Sequence, residues 1–300
     1  PTIRLLPPCI QPCLRRSSGF SCSSPSTCPP SLNATPATDT LSPSQELAGR
    51  DKLVSLNGRF ALGFFQTGSN FSDDTTKWYL GIWFHTVPKF TPVWVANAES
   101  PITNLTACRL VLSRDGNLAL HHLATTVWST RANTTANTTV AALLDNGNLV
   151  LRSVGGTPNS SDVFWQSYDH PTDTVLQGGK IGWNNSTGLI RRLVSRKNAV
   201  DQTPGMYSYE LSGHNGDTSI VSMFNSSKQY WSSGEWGGQY FSNIPESVGQ
   251  KWLSLQFTSN KEEQYIQYAI EDPTVLSRGT MEVSGQMKVL LWFEGSSQDW

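Results

Sequence analysis

Apolar and polar residues alternate along much of the chain beyond residue 39, with the period of two that predicts half-buried β-strands. The alternation restarts after a recurring short phrase. Asn57-Gly58-Arg59-Phe60-Ala61-Leu62, Asp115-Gly116-Asn117-Leu118-Ala119-Leu120 and Asn146-Gly147-Asn148-Leu149-Val150-Leu151 each put an Asx-Gly pair ahead of apolar residues on one strand face. Asx-Gly accepts the positive φ angles of a type I′ turn, so each phrase predicts a hairpin. A tryptophan strand follows each: Pro92-Val93-Trp94-Val95, Thr126-Val127-Trp128-Ser129 and Val163-Phe164-Trp165-Gln166. Three such units, each too small to bury its own apolar face, are expected to share one core, with the tryptophans near a common axis. Cys108, beside Leu110 and Leu112, is expected to be a buried free thiol.

The pattern continues more loosely from about Gly178. Met206–Leu211 and Gln264–Ile270 alternate, Ile220–Phe224 runs into an Asn-Ser-Ser-Lys turn, and Met281-Glu282-Val283 turns at Ser284-Gly285-Gln286 into Val289–Trp292. No long helical period appears, because Gly or Pro interrupts most windows. The polar stretch Ser167–Thr174 is the expected junction between two regions.

Residues 1–38 are different material. Pro, Ser and Cys dominate and the charges are Arg4, Arg15 and Arg16, which predicts a disordered segment. Cys9, Cys13, Cys22 and Cys28 match no zinc or redox spacing, and no histidine lies near them. No apolar core of a signal peptide is present. The chain starts with Pro1 and stops at Trp300 in strand-like sequence, so a fragment is expected.

Composition narrows the function. A net charge of −1 gives no basic face for nucleic acid. No apolar run reaches the length needed to span a membrane. Sequons are dense, with candidate glycosylation sites at Asn70, Asn104, Asn133, Asn137, Asn159, Asn185 and Asn225, and others at Asn33 and Asn184. That is about twice what chance gives and points to the secretory pathway.

Catalytic signatures are missing: no G-x-S-x-G elbow, no phosphate loop and no kinase triplets. Ser167, His170 and Asp173 lie too close in sequence for a triad of separate elements. His121 and His122 face opposite ways on a strand, so no metal site and no cofactor are expected. Binding remains. Asp115 with Asn117, or Asn146 with Asn148, share a strand face and can grip vicinal sugar hydroxyls, or can simply build the turns.

The repeats resemble the bulb-type (monocot mannose-binding) lectin domain. Tyr79–Phe84, Pro92–Asn97 and Phe164–Thr174 resemble stretches of that domain in plant S-domain receptor kinases. Arg191–Ser195, Pro204–Tyr207, Tyr230–Trp236 and Met281–Gln286 are similar to the S-locus glycoprotein domain that follows it there. The resemblance implies an all-β fold: a β-prism II lectin domain with pseudo-threefold symmetry over 39–165, then a second lectin-like β domain over 166–300. It implies an extracellular or plasma-membrane ectodomain. Membrane attachment and the Ser/Thr kinase would lie in segments this chain does not contain.

Lectins of this family hold mannose through Q-x-D-x-N-x-V-x-Y. The corresponding second-repeat residues are Ser113, Asp115, Asn117, Ala119 and His121. The third reads Leu144, Asn146, Asn148, Val150 and Arg152, and the first is aligned as Ser55, Asn57, Arg59, Ala61 and Gly63. Gln and Tyr are gone from all three. Each lost sugar hydrogen bond costs about 0.5–1.5 kcal/mol, so mannose binding is expected to be weak or lost, with the second repeat the best remaining site. The expected partner is a protein, peptide or glycan ligand, with a receptor homodimer or co-receptor. A secreted lectin without signalling and a truncated, non-functional product are the alternatives.

Overall fold

Twelve strands build the first half. Three are short: β1 (Thr40–Leu41), β2 (Glu46–Ala48) and β3 (Lys52–Val54). Three antiparallel meanders follow. They are β4 (Phe60–Thr67), β5 (Lys77–Phe84) and β6 (Pro92–Val95); β7 (Cys108–Leu112), β8 (Leu118–His122) and β9 (Thr125–Ser129); and β10 (Thr139–Leu143), β11 (Leu149–Ser153) and β12 (Val163–Gln166). Each meander recruits one short strand in reverse order, giving sheets β3-β4-β5-β6, β2-β7-β8-β9 and β1-β10-β11-β12. The architecture is a three-sheet β-prism. This computed structural model describes residues 38–43, 45–67, 76–134, 139–156, 162–213, 218–245, 253–295 and 300. The expectations for the N-terminal segment and for Asn70, Asn137 and Asn159 lie outside them.

The tryptophans meet as expected. Trp94, Trp128 and Trp165 form a triangle with ring centroids 5.7–5.9 Å apart, each pair edge to face, the geometry that aromatic quadrupoles favour. Each pairs across its sheet with an apolar residue: Trp94 with Ile82, Trp128 with Leu120 and Trp165 with Leu151. Leu62, Leu80, Leu110, Leu120, Leu143 and Leu151 fill the core around them. Cys108 is a buried free thiol.

Those pairings correct the first repeat. Ile82 on β5 is the counterpart of Leu120 and Leu151, so the stretch equivalent to Asp115–Leu120 is Lys77–Ile82, not Asn57–Leu62. Asn57-Gly58 joins β3 to β4, whereas Asp115-Gly116 joins β7 to β8. Asx-Gly marks a hairpin turn wherever one occurs and carries no information about which strand of the sheet follows.

The turn type is also corrected. Ser113 N–H donates to Asn117 O (2.8 Å), Gly116 N–H donates to Ser113 O (2.9 Å), and only Gly116 has positive φ (80°). That is a three-residue hairpin with glycine in the left-handed position, not type I′. Leu144, Gly147 and Asn148 repeat it. The cause is the Asx side chain: Asp115 Oδ1 and Asn146 Oδ1 each accept from the backbone N–H two residues on (3.1 Å), which keeps these residues at negative φ. A type I′ pair does occur at Asn225 and Ser226, with φ of 52° and 56°.

The second half repeats the nesting. Its strands are β13 (Thr174–Val175), β14 (Ile181–Asn184), β15 (Ile190–Arg191), β16 (Leu193–Arg196), β17 (Pro204–Ser212), β18 (Ser219–Phe224), β19 (Lys228–Glu235), β20 (Leu253–Ser259), β21 (Glu263–Ile270), β22 (Leu276–Met281) and β23 (Met287–Trp292). They pair as β16-β17-β18-β19, β15-β14-β21-β20 and β13-β22-β23. Early short strands again join later hairpins in reverse order. Met281, Ile220, Phe241 and Leu193 sit at the centre of this second core.

The halves touch through charged and aromatic clamps. Lys77 on β5 pairs with Asp201 at 2.7 Å, Tyr79 Oη reaches the same carboxylate at 3.5 Å, and Trp300 packs on Phe84 at 4.8 Å. Burial alone would raise the Asp201 pKa, but hydrogen bonds from Lys77 and Thr203 outweigh it and hold the carboxyl well below the usual range. A depressed folded pKa stabilises fully above the unfolded value of about 3.9 and is lost as pH falls below it. Asp201→Asn should therefore lower the melting temperature at neutral pH and shrink its further fall on acidification below about pH 4. An unchanged acid response in the variant would refute this role.

Candidate carbohydrate and ligand sites

The second hairpin presents Asp115 at an exposed tip and sends Asn117 inward, 8% exposed. Asn117 Oδ1 accepts from Thr130 Oγ1 (2.8 Å) and Ala132 N (2.6 Å), while Nδ2 donates to Asp115 Oδ2 (3.2 Å) and Ala132 O (3.3 Å). A side-chain amide offers two acceptor and two donor positions, so this one is fully used. The third repeat copies the arrangement. Asn148 Oδ1 accepts from Ser167 Oγ (3.0 Å) and Tyr168 N (3.2 Å), and Nδ2 donates to Gln166 Oε1 (2.9 Å).

In both copies the partner hydroxyl also accepts from the strand. Leu118 N–H donates to Thr130 Oγ1 and Leu149 N–H to Ser167 Oγ. The first repeat has Ala96 at that place and uses another side chain, Leu80 N–H donating to Asn97 Oδ1 at 2.8 Å. Trp-x-Ser/Thr, present as Trp128-Ser129-Thr130 and Trp165-Gln166-Ser167, is the sequence signal for this network. Asn117→Ala should cost about 2–3 kcal/mol, because it strands buried groups rather than merely deleting one bond. Urea denaturation checks it, and a loss under about 0.5 kcal/mol would exclude the bracing role.

The other candidate positions stay apart. Ala119, between Asn117 and His121 on their shared face, is 3% exposed. His121 is half-buried, with Nδ1 at 3.1 Å from Thr126 Oγ1. Ser113 is half-buried behind the turn, and Asn146 is exposed at the third tip. Asn104, Asn133, Asn185 and Asn225 are exposed, as glycan acceptors must be.

A cleft of about 970 Å³ opens beside the tryptophan triangle. None of the sugar-motif positions of the three repeats lines it. Its walls come from the ends of β6, β9 and β12, the 170–173 connector, and residues 194–204 of the second half. Asp173 and Arg196 pair across it at 3.4 Å, and burial pushes the Asp173 carboxyl up against the pull of Arg196. Sequence reading missed this cleft, since four separate stretches of chain build it.

Family comparisons agree with the geometry. A model of the D-mannose binding lectin matches residues 91–197, and one of the S-locus glycoprotein domain matches 231–300. The chain belongs to the G-type lectin S-domain family. A G-type lectin S-receptor-like serine/threonine-protein kinase of Arabidopsis thaliana is 37% identical over 88% of this chain and 31% of its own length. An S-locus-specific glycoprotein of Brassica oleracea is 34% identical over 87% of this chain and 58% of its own. This S-domain chain thus spans about a third of the kinase and somewhat over half of the glycoprotein. Neither matching family model is a kinase domain. Among solved structures, a monomeric monocot mannose-binding lectin from Gastrodia elata has a TM-score of 0.31 at 18% identity, covering 43% of this chain and 96% of that one. No described helix is long and apolar enough to cross a membrane.

Proposed function

We propose that this S-domain chain is an extracellular recognition module of a receptor-like kinase, whose prism hairpins have become scaffold rather than mannose sites. The inward amides carry this reading: Asn117 uses all four of its hydrogen-bonding positions and Asn148 three. Those bonds brace the tryptophan strands, which leaves Asp115 as the exposed motif residue of the second repeat. Sugar affinity has little reserve once such bonds are lost. The exposed sequon asparagines support passage through the secretory pathway. The ligand is a protein, peptide or glycan presented at the cell surface, in pollen recognition or in defence and stress signalling. A partner ectodomain, as homodimer or co-receptor, belongs to the same reading.

A glycan array with the Asp115→Ala variant tests it. The expected result is no dose-dependent mannoside signal in either protein. A mannoside signal that disappears in Asp115→Ala would favour the secreted lectin instead.

A further inference from the structure

The cleft beside the tryptophan triangle offers more room than a single sugar fills. Its volume of about 970 Å³ lies at the upper end of the range of small-ligand pockets. Much of its aromatic floor is already engaged. Trp94, Trp128 and Trp165 spend their faces and edges on one another, and the His170 ring stacks over Trp165 with an interplanar angle of 12°. What remains open is apolar edge, such as Val127 and Ala132, next to isolated charge.

Arg131 is the distinctive residue. It lines the cleft, is exposed, and holds φ at 51°, a left-handed conformation that bulky side chains rarely keep. The Asn117 network fixes it there, since Asn117 grips Thr130 on one side and Ala132 on the other. The Arg131 guanidinium has no hydrogen bond or ion pair among the described residues; only its backbone N–H does, to Ser129 Oγ. Glu99 lines the same cleft, and its carboxylate is also without a partner among the described residues. On the wall from the second half, Gln202 is 6% exposed and its buried Nε2 has no hydrogen-bond partner among the described residues. Unpaired charges of both signs and apolar edges together match a peptide with mixed side chains better than a neutral glycan.

We propose that this cleft binds an extended peptide segment carrying a carboxylate, which Arg131 takes through its planar fork of donors. An apolar side chain of the peptide packs near Trp128, and positions facing Glu99 are neutral or basic. Asn117 is a positioning residue for this site: the sugar motif's amide now aims an arginine at a different ligand. The inference rests on the recognition reading above and names the site and ligand chemistry within it.

The test uses the whole chain and an array of capped heptapeptides with a central Asp, each beside its central-Asn and central-Lys counterparts, with biotinylated mannotriose as the sugar probe. Central-Asp peptides should be retained at least tenfold better than their Asn counterparts. Arg131→Gly, which relieves the backbone conformation and so preserves the fold, should abolish that preference without lowering the melting temperature. Arg131→Glu should shift it to central-Lys peptides. A central-Asp preference that survives both variants, or no such preference in the parent chain, overturns the cleft assignment. So does mannotriose binding that Arg131→Gly removes, which would make the cleft a sugar site. A mannoside signal sensitive to Asp115→Ala but not to Arg131→Gly would count against the recognition reading alone.

Discussion

Trp165→Ala should lower stability by about 3–5 kcal/mol, the range for deleting a large buried aromatic. Trp165 is 8% exposed and meets Trp94 at 5.9 Å, Trp128 at 5.7 Å and the His170 ring at 5.4 Å. Truncation leaves a cavity where the three sheets converge, and no neighbour can collapse into it without breaking another edge-to-face pair. The companion Trp128→Ala should cost less, because Trp128 is only half-buried and lies beside the open cleft. Urea midpoints of the two variants decide the matter. If Trp128→Ala proved the more damaging, the triangle would not be the shared hub described here, and stability would reside in the separate sheets.

Much of this prism was legible because its long strands alternate cleanly and its tryptophans are large. The triangle followed from that alternation and from the need of small units to share a core. The three short strands β1, β2 and β3 were not legible, since two or three residues carry no period. Missing them hid the reverse-order nesting, and with it the true first repeat. Lys77–Ile82 has no Asx-Gly turn ahead of it, while Asn57-Gly58 advertises one in the wrong place. At the candidate site the sequence left open whether the Asx residues grip a sugar or build the turns, and the structure turns Asn117 and Asn148 inward. An Asn two positions past a turn can face solvent or the core. Thr130 and Ser167, which settle the direction for Asn117 and Asn148, lie 13 and 19 residues away. The cleft needed tertiary structure outright, because Arg131 stands out only once its backbone angle and its solitary guanidinium are seen.

The second large effect is expected at Arg191, in the contact between the connector and the second half. Its Nε donates to Asp169 Oδ1 at 2.6 Å, and its Nη1 lies 3.9 Å from Glu263 Oε2. Asp169 follows β12, Arg191 is on β15 and Glu263 is on β21, so one guanidinium ties the end of the first prism to a sheet of the second. The Arg191 side chain is 7% exposed, against 23% for Asp169 and 19% for Glu263. A charge so enclosed is kept only by its partners, and removing one member of such a cluster costs about 3–5 kcal/mol. The partners are not equally stranded by its loss. Glu263 retains Lys180 at 2.6 Å, and Asp169 retains the Gln166 amide at 3.1 Å. Arg191→Met, which keeps the volume and removes the charge, should therefore fall at the lower end, near 3 kcal/mol. Adding Asp169→Asn should then restore about 1 kcal/mol or more, because the orphaned carboxylate is neutralised. The loss should also persist in high salt, since a buried pair is poorly screened. Additive losses in the double variant, or a cost that vanishes in about 0.5 M salt, would place Arg191 among ordinary surface pairs worth at most about 1 kcal/mol. The hold of the connector on the second half would then rest on the backbone, where Val194 N–H donates to Thr172 O at 2.9 Å and Met281 N–H donates to Asp173 O at 2.8 Å.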